Sequence, residues 1–370
     1  LIGHRKLWFG YAAAQNCLDK LIAELDKEPT ILAGSYWFAE RWLRDEAISC
    51  KALIQLSRFE LAKRILFSQL SQLKPDGRLP CRIPACPIDS ADAPGWLFTR
   101  FGELIERLIR AGKLRAVLSQ RELLQIKHGV ERAAFSSLES RSKGRLIINK
   151  AQESWMDSTG GYTDSREGAR IEIQALQLSM YRLMRRLCAL LGDRPGLRIG
   201  RSLEAELAAL VRQRFWNGYY LNDGVDDTTI RPNIFVAAYV YPELLPARQW
   251  RACFDNVLPR LWTGFGLASI DKHSKLFHPE HTGEDDKSYH RGDSWYWINN
   301  IAAIVLHRFG RVRYARYIHA ILEASTADIL WLGIPGCASE LSSASKQEAF
   351  GCLDQAWSAA TYIELINELF

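Results

Sequence analysis

A tryptophan and an aspartate stand two residues apart, just before a strongly apolar segment of the sequence. Trp155 and Asp157 lie in the polar, glycine-rich stretch SWMDSTGGYTDSREG, and the segment IEIQALQLSMYRLM that follows is apolar almost all round a helix. A helix of that kind is buried. An indole and a carboxyl group at its mouth are suited to stacking on a sugar ring and delivering a proton to it. The alternative is a surface loop whose aspartate caps the helix.

The elements that position these groups are predicted to be helices, because the apolar residues recur with helical periodicity almost throughout the chain. Helix-breaking residues interrupt this periodicity at intervals of roughly 15 to 35 residues. The pattern predicts twelve helices, over residues 9–26, 45–57, 59–73, 95–112, 120–138, 167–190, 199–215, 232–242, 246–259, 294–308, 311–329 and 353–369. Strand signals are weak. They indicate only short hairpin edges at residues 144–148 and 219–221.

The predicted helices alternate between two kinds. Those at 120–138 and 199–215 are apolar on one face only, whereas NIFVAAYVY, SWYWINNIAAIVL and DQAWSAATYIELI have the composition of buried helices. A ring of six helical hairpins requires this alternation, since inner helices line the core and outer helices shield it. We therefore expect an all-α (α/α)6 barrel that forms a single domain over residues 1–370, with an apolar content of 48% sufficient for a large core.

The segments richest in chemically useful side chains follow the same alternation. Each of them precedes or begins a helix of the buried kind. They are residues 36–45, 92–98, 155–157, 231–233, 289–297 and 340–357. In an up-and-down ring the corresponding helix ends converge at one mouth, so these residues share one pocket. The connection at 261–293 is too long for a simple connector, which also favours a functional face.

Composition excludes several classes of protein. The net charge of +6 is spread over 48 basic and 42 acidic residues without a clustered basic stripe, so no nucleic-acid partner is expected. No run of ~20 apolar residues offers a membrane span, and the N-terminal residues do not resemble a signal peptide. The eight scattered cysteines favour a cytoplasmic location. Cys81 and Cys86, in CRIPAC, are the one pair whose disulfide is left open.

Six segments of the chain resemble, in family order, the catalytic domain of the amylo-α-1,6-glucosidases of glycogen debranching enzymes. They are ILAGSYWFAERWLRDEAI, ADAPGWLF, SWMDSTGGYTDSREGARIEIQAL, LNDGVDDTTIRPN, YHRGDSWYWI and SELSSASKQEAFGCLDQAWSAATYIELI. That domain is an (α/α)6 barrel related to the glucoamylase-like glycosidases. The resemblance implies a glycoside hydrolase. Because the family carries N-terminal domains and the chain begins at Leu1, we also expect an additional N-terminal domain in a longer protein.

The resemblance assigns roles to individual residues. Asp157 corresponds to the general acid of the family and Glu340, in SELS, to its general base. Arg44 and Asp45 correspond to a pair that grips the hydroxyls of the terminal glucose, although they also suit an ordinary ion pair at a helix start. The pocket-lining positions of the family correspond to Trp155, His290 and Trp357.

Two further aromatic residues, Trp37 and Trp295, are predicted to bind substrate. Trp295 and Trp297 are two positions apart, so on a helix they would point in different directions and at most one would face a sugar. Departures from the family pattern bear on the pocket shape and the linkage preference. Leu43 replaces the usual glycine before the Arg-Asp pair, and Asp293-Ser294 replaces the usual pair after His-x-Gly.

The carboxyl group that acts as the general base determines the geometry of the proposed site. Hydrolysis of a glycosidic bond needs one protonated and one ionised carboxyl group, and inversion needs them about 6.5–9.5 Å apart with room for water. By position alone Asp293 is a second candidate base. Asp157 and Glu340 precede the sixth and twelfth helices, which are opposed in a ring, so opposition favours Glu340. Asp293 is then expected to be the N-cap of its helix.

The resemblance, together with the expected opposition of the two carboxyl groups, implies an inverting, exo-acting hydrolase that removes α-1,6-linked glucose from debranched glycogen or a related α-glucan. The alternatives are a glucoamylase- or trehalase-like α-glucosidase, and a non-catalytic carbohydrate-binding barrel. His273, His278 and His281 invite a metal interpretation, but their spacing fits no zinc signature. No metal and no cofactor are therefore expected.

Overall fold

The computed structural model describes residues 3–25, 27–158 and 165–370, so the glycine-rich part of the loop after Asp157 lies outside the described residues. The described part contains thirteen α-helices. They are α1 (His4–Leu21), α2 (Leu43–Gln55), α3 (Phe59–Ser71), α4 (Ala93–Arg110), α5 (Leu114–Val117), α6 (Gln120–Ser140), α7 (Ile171–Leu191), α8 (Arg194–Phe215), α9 (Asn233–Val240), α10 (Ala247–Leu261), α11 (Tyr296–Gly310), α12 (Ala315–Ala327) and α13 (Ala356–Leu369).

All twelve predicted helices are present, and the short α5 is an addition. Several boundaries differ from the prediction by up to five residues, and three of these differences have identifiable reasons. Helix α1 ends at Leu21 because residues 22–25 pair as a strand with residues 28–31. Helix α7 begins only at Ile171, because the backbone before it makes bridges to other loops. Helix α8 begins earlier than predicted, since Asp193 accepts a hydrogen bond from the backbone of Gly196 and so caps the helix.

Six of the helices form a closed ring. In order they are α2, α4, α7, α9, α11 and α13; each packs against the next, and α13 packs against α2. The outer helices α1, α3, α6, α8, α10 and α12 each lie against one or two members of this ring. The predicted all-α (α/α)6 architecture is confirmed.

The inner helices are buried because their sequences leave no polar face for water. Every residue of α9 is buried, whereas α8 buries only a narrow stripe. Toward the end of the ring away from the helix starts, a polar group joins three inner helices. Tyr239 donates a hydrogen bond of 2.7 Å to Glu364 and accepts one of 3.2 Å from Arg100. These hydrogen bonds join α4, α9 and α13 inside the barrel.

Ten short strands decorate the loops as five antiparallel pairs. They are β1 (Ile22–Leu25) with β2 (Glu28–Ile31), β3 (Arg41–Trp42) with β5 (Arg82–Ile83), β4 (Leu79–Pro80) with β6 (Asp89–Ser90), β7 (Ser142–Lys143) with β8 (Leu146–Ile147), and β9 (Ser294–Trp295) with β10 (Leu341–Ser342). The pair β7–β8 is the hairpin expected near residues 144–148. Residues 219–221 form only an isolated bridge between Trp216 and Leu221.

Two expectations from composition can be compared with the fold. No helix in the described part of the chain is long and apolar enough to cross a membrane. All eight cysteines are free thiols, which include Cys81 and Cys86. The disulfide left open between these two is therefore absent from the structure.

Candidate active site

The two predicted catalytic carboxyl groups lie at opposite sides of the ring mouth. Asp157 precedes α7, the third inner helix, and Glu340 precedes α13, the sixth. The two groups are near enough to interact, since the negative charge of Asp157 contributes to raising the pKa of Glu340. The ring thus brings together two residues that are far apart in the sequence.

Glu340 is buried and held by two hydrogen bonds. Tyr289 donates its hydroxyl to Oε1 at 2.6 Å, and the backbone N–H of Cys352 donates to Oε2 at 2.9 Å. Burial raises the pKa of Glu340 to about 7, although both hydrogen bonds favour the ionised form and so oppose the shift. The strand pair β9–β10 fixes the backbone at this point, because the backbone carbonyl of Glu340 also accepts a hydrogen bond of 3.3 Å from the N–H of Tyr296.

Asp157 has a different environment. Its side chain keeps 33% of its surface exposed, and its Oδ2 lies 3.5 Å from Nη1 of Arg44. The surrounding protein raises the pKa of Asp157 to about 6 by removing water, and the charge of Arg44 only partly opposes this shift. A carboxyl group that holds a proton in weakly acidic solution and still reaches solvent can act as a general acid.

Arg44 pairs with Asp92 and not with the neighbouring Asp45. Its Nε lies 2.8 Å from both carboxylate oxygens of Asp92, which itself accepts a hydrogen bond of 2.5 Å from Ser90. The buried Nη2 of Arg44 has no hydrogen-bond partner in the described part of the chain. The predicted ion pair between consecutive residues is therefore replaced by a longer-range one, and Arg44 retains a donor for a ligand hydroxyl.

Asp45 is buried at the start of α2, where burial and nearby carboxylates disfavour its ionised form. Burial raises its pKa to about 8, while the Arg44 guanidinium opposes the shift and the carboxylates of Glu340 and Asp157 reinforce it. Gln355, just before α13, donates a hydrogen bond of 3.4 Å to its Oδ1. Two carboxylates and one cation thus act on Asp45, which favours retention of its proton at neutral pH.

An aromatic cluster lies beside these charges, with Trp155 at its centre. The Trp155 ring makes edge-to-face contacts with His290, Trp295 and Trp297 at centroid distances of 5.4, 5.6 and 5.0 Å. Trp357 stacks on Trp297 at 5.0 Å. The expectation that Trp295 and Trp297 diverge was wrong, because Trp295 belongs to strand β9 and the helical spacing does not apply to it.

His290 stacks on Trp295 and anchors the loop that carries Asp157. Its Nδ1 accepts hydrogen bonds from the N–H and the hydroxyl of Ser158, at 3.3 and 2.9 Å. Burial lowers the pKa of His290 well below its usual value, and nearby arginines, with Arg231 the strongest, lower it further. The imidazole is therefore neutral with its proton on Nε2.

Among the aromatic residues predicted to bind substrate, Trp37 is the one that the structure does not bring into the cluster. Its side chain is 65% exposed, on the loop at Gly34–Phe38 that bridges to Gln355 at the rim of the mouth. A ring in that position has no contact with Trp155. Its predicted role in the pocket therefore has no support from its position, although it remains close to the rim.

The prediction that Asp293 caps α11 was wrong. The N-cap position is Trp295, and the Asp293 carboxylate instead accepts hydrogen bonds of 2.8 Å from Ser288 and 2.7 Å from His281. These bonds hold the long loop before α11. His281, His273 and His278 belong to no cluster of metal ligands within the described ranges.

Three residues that sequence reasoning did not assign are central to the site. They are Asp92, which pairs with Arg44, Tyr289, which donates to Glu340, and Asn233, which accepts a hydrogen bond of 2.7 Å from the Trp155 indole. All three lie in the segments that precede inner helices. Their position was therefore a usable signal, but their partners are 48 to 78 residues away and no local pattern reveals them.

Comparison with known proteins places this geometry in context. The family model of amylo-alpha-1,6-glucosidase matches residues 15–364. The structure of a GH63 mannosylglycerate hydrolase from Thermus thermophilus in complex with glucose has 14% sequence identity and a TM-score of 0.73, and the match covers 95% of this chain and 98% of that one. No curated protein sequence is significantly similar.

Two further solved structures share the fold. An uncharacterized conserved protein from Thermus thermophilus has 13% identity and a TM-score of 0.72, over 96% of this chain and 98% of its own. A wild-type glycosidase has 14% identity and a TM-score of 0.71, over 100% of this chain and 99% of its own. At these identities the structural neighbours establish the fold alone.

Proposed function

This chain belongs to the amylo-alpha-1,6-glucosidase family, a family of glycoside hydrolases, and we propose that it removes α-1,6-linked glucose from debranched glycogen or a related α-glucan. The proposed reaction proceeds with inversion at the anomeric carbon. Asp157 is the general acid and Glu340 is the general base. The proposed enzyme is exo-acting and binds a terminal glucose in the pocket.

The observation that supports the proposal is that two opposed carboxyl groups have different environments. Glu340 receives two hydrogen bonds that stabilise its anion, from Tyr289 and from the backbone of Cys352. Asp157 is placed among other carboxylates and opposite only a shared arginine. The anion-stabilising hydrogen bonds suit Glu340 to the role of base and their lack suits Asp157 to that of acid. Because the pKa of Glu340, about 7, exceeds that of Asp157, about 6, the form with a proton on Asp157 and none on Glu340 is the minor one of the two singly protonated forms.

The reaction needs one proton and one water molecule. Asp157 donates its proton to the glycosidic oxygen while the bond from that oxygen to the anomeric carbon breaks. Glu340 removes a proton from a water molecule, whose oxygen bonds to the anomeric carbon from the opposite face of the ring. The products are β-glucose and the shortened glucan, and solvent returns the proton from Glu340 to Asp157.

The remaining polar groups of the pocket are matched to a hexose. A sugar hydroxyl both donates and accepts hydrogen bonds. The Nη2 of Arg44 supplies a donor, and the carboxyl group of Asp45, whose pKa burial raises to about 8, supplies an acceptor oxygen. We propose that these two residues grip the terminal glucose.

The aromatic cluster supplies the apolar surface that a pyranose ring needs. Trp155, Trp295 and Trp357 are nearly fully buried with His290 beside them. Their edge-to-face packing fixes the rings before a ligand arrives, so little side-chain freedom is lost on binding. In the proposed site these residues form the wall against which the glucose lies.

Product analysis by NMR on a limit dextrin tests the proposal. We expect release of free glucose whose first detectable anomer is β, with slower action on maltose and trehalose. Preferential cleavage of maltose or trehalose would replace the proposal by the glucoamylase- or trehalase-like alternative. Mannosylglycerate belongs in the same panel, because the structural neighbour described above is named a hydrolase of that compound. Binding of glucans without glucose release would favour a non-catalytic barrel.

A further inference from the structure

The residues on both sides of Asp157 are held by side chains from other parts of the ring. Asn233, the first residue of α9, accepts a hydrogen bond of 2.7 Å from the indole N–H of Trp155 through its Oδ1. Its Nδ2 donates to Asp223 Oδ1 at 2.7 Å and lies 3.6 Å from the sulfur of Met156. One amide therefore contacts the two residues that immediately precede Asp157.

The orientation of this amide is fixed by its partners. A carboxylate only accepts hydrogen bonds and an indole N–H only donates them, so Asp223 must face the NH2 group of Asn233 and Trp155 must face its carbonyl oxygen. Asn233 is fully buried and Asp223 and Trp155 nearly so. A flipped amide would place two donors and two acceptors against each other without access to water, which is strongly unfavourable.

Asp223 is itself held from behind by Arg166. The guanidinium of Arg166 donates to both carboxylate oxygens of Asp223, at 3.0 and 3.1 Å, and its Nη1 donates to the hydroxyl of Ser154 at 3.2 Å. The second carboxylate at this arginine is Glu172, at 2.8 Å. A buried chain of one ion pair and several hydrogen bonds thus runs from Glu172 in α7 through Arg166 and Asp223 to the start of α9.

We propose that Asn233 is a positioning residue for the general acid: it holds the side chains of Trp155 and Met156, the two residues before Asp157, so that the Asp157 carboxyl group faces the glycosidic oxygen. The inference rests on the proposed role of Asp157. Asn233 touches no reacting atom in this scheme and acts through Trp155 and Met156. An asparagine is required because the site needs one donor and one acceptor on a single uncharged planar group.

The variant Asn233→Asp tests this requirement. It keeps an oxygen toward Trp155 but places a second carboxyl group 2.7 Å from that of Asp223. Two such groups share one proton, so the arrangement is restored only when the pH is low enough to retain it. We expect the alkaline limb of kcat/KM to move to lower pH by at least about one unit relative to the wild type.

The variant Asn233→Leu removes both hydrogen bonds at similar volume. We expect kcat on an α-1,6-linked glucoside to fall by about 100-fold, because acid catalysis is worth about that much or more. The loss on α-glucosyl fluoride should be under about tenfold, since fluoride departs without a full proton transfer. A merely structural role would reduce both rates equally, and equal losses would overturn the proposal.

The matched control for Asn233→Leu is Asn300→Leu in α11. Asn300 is fully buried, accepts a hydrogen bond of 2.8 Å from Ser325 and donates one of 3.2 Å to Thr361, but it contacts neither Trp155 nor Asp157. We expect a comparable loss of thermal stability in this variant without a change in the ratio of the two rates. A changed ratio in the control would also overturn the assignment, because buried asparagines in general would then produce it.

A crystal structure of Asn233→Asp at low and at high pH gives a readout that does not depend on the substrate. We expect Trp155 and Asp157 to be displaced at high pH and restored at low pH. Unchanged positions at both pH values would disprove positioning by Asn233 even if no glucoside is hydrolysed. Failure of the wild type to hydrolyse any α-glucoside would instead disprove the proposed function and leave the crystallographic result to decide the inference.

Discussion

Arg44 Nη1 lies 3.5 Å from Asp157 Oδ2, while Nε of the same guanidinium lies 2.8 Å from both carboxylate oxygens of Asp92. Asp92 therefore takes most of the stabilisation that the positive charge offers. Asp157 is left with a weak ionic contact, and burial raises its pKa to about 6. The acid character of Asp157 thus depends on a residue 65 positions earlier in the chain.

Replacement of the acid should depend on the leaving group. We expect Asp157→Asn to reduce hydrolysis of natural α-1,6-linked glucosides by about 10²–10⁴-fold, because a poor leaving group requires protonation. Aryl glucosides with very good leaving groups should lose far less. Steady-state rates on both substrate types check this. Equal losses would remove Asp157 from the role of general acid.

Asp92→Asn should change the pH profile on one side only. The productive form carries a proton on Asp157 and none on Glu340, so with pKa values of about 6 and about 7 the kcat/KM profile has limbs near those values. Removing the Asp92 charge frees Arg44 for Asp157 and lowers the pKa of Asp157. We expect the acid limb to extend below pH 6 and the maximum to fall, since fewer molecules keep the proton on Asp157.

The control for this profile is Asp255→Asn. Asp255 pairs with Arg313 at 2.7 Å on the surface of the barrel, so the variant removes an ion pair without a change at the mouth. Its pH profile should match the wild type. An Asp92→Asn profile identical to that of the control would show that Asp92 does not tune the acid.

The base assignment predicts different outcomes for two neighbouring carboxyl groups. We expect Glu340→Gln to lower kcat by at least about 100-fold while glucose still binds, because proton abstraction from water is lost. Asp293→Asn should instead lower stability by about 1–3 kcal/mol, since it weakens the buried hydrogen bonds to Ser288 and His281. Calorimetry and turnover distinguish the two; an inactive but fully stable Asp293→Asn would reverse the assignment.

Asp45→Asn should stabilise the fold at alkaline pH. The pKa of Asp45 is raised to about 8, against about 3.9 for a free aspartate, so the folded chain retains a proton that the unfolded chain releases. The free energy of unfolding contributed by this group therefore falls as the pH rises from about 4 to about 8. The Tm advantage of the variant should be largest at pH 8 and vanish at pH 4. A constant difference in Tm would contradict the shift.

Gly351 should be required by the base. It has a φ of +68°, and a Cβ atom at this position would collide with Oε2 of Glu340. We expect Gly351→Ala to displace the carboxylate and reduce kcat by more than about tenfold. Gly112→Ala is the matched control, since its φ is +66° and no atom lies within 4 Å of the added Cβ. Gly112→Ala should show a similar loss of stability but keep the kcat of the wild type. An equal kcat in both variants would mean that the Glu340 side chain moves without loss of function.

Much of the architecture was predictable from local patterns. The segment IEIQALQLSMYRLM is apolar all round and forms the buried α7, whereas residues 199–215 are apolar on one side and belong to the outer α8. Such patterns indicate directly how far a helix is buried, because a face in contact with water is polar and a face in the core is apolar. Because the polar loops all precede inner helices, the sequence also predicted the end of the ring at which these loops meet. It placed Asp157 and Glu340 at that end.

The sequence by itself determined the ring of alternating helices and the end at which the polar loops meet. Only the tertiary structure decided which side chains are partners: Arg44 with Asp92, Tyr289 with Glu340, and Asn233 with Trp155. It also placed Asp293 inside the long loop instead of at a helix cap, and Trp37 at the exposed rim. The physical reason is that helix formation depends on near neighbours, whereas these contacts join different inner helices and depend on how the closed ring packs.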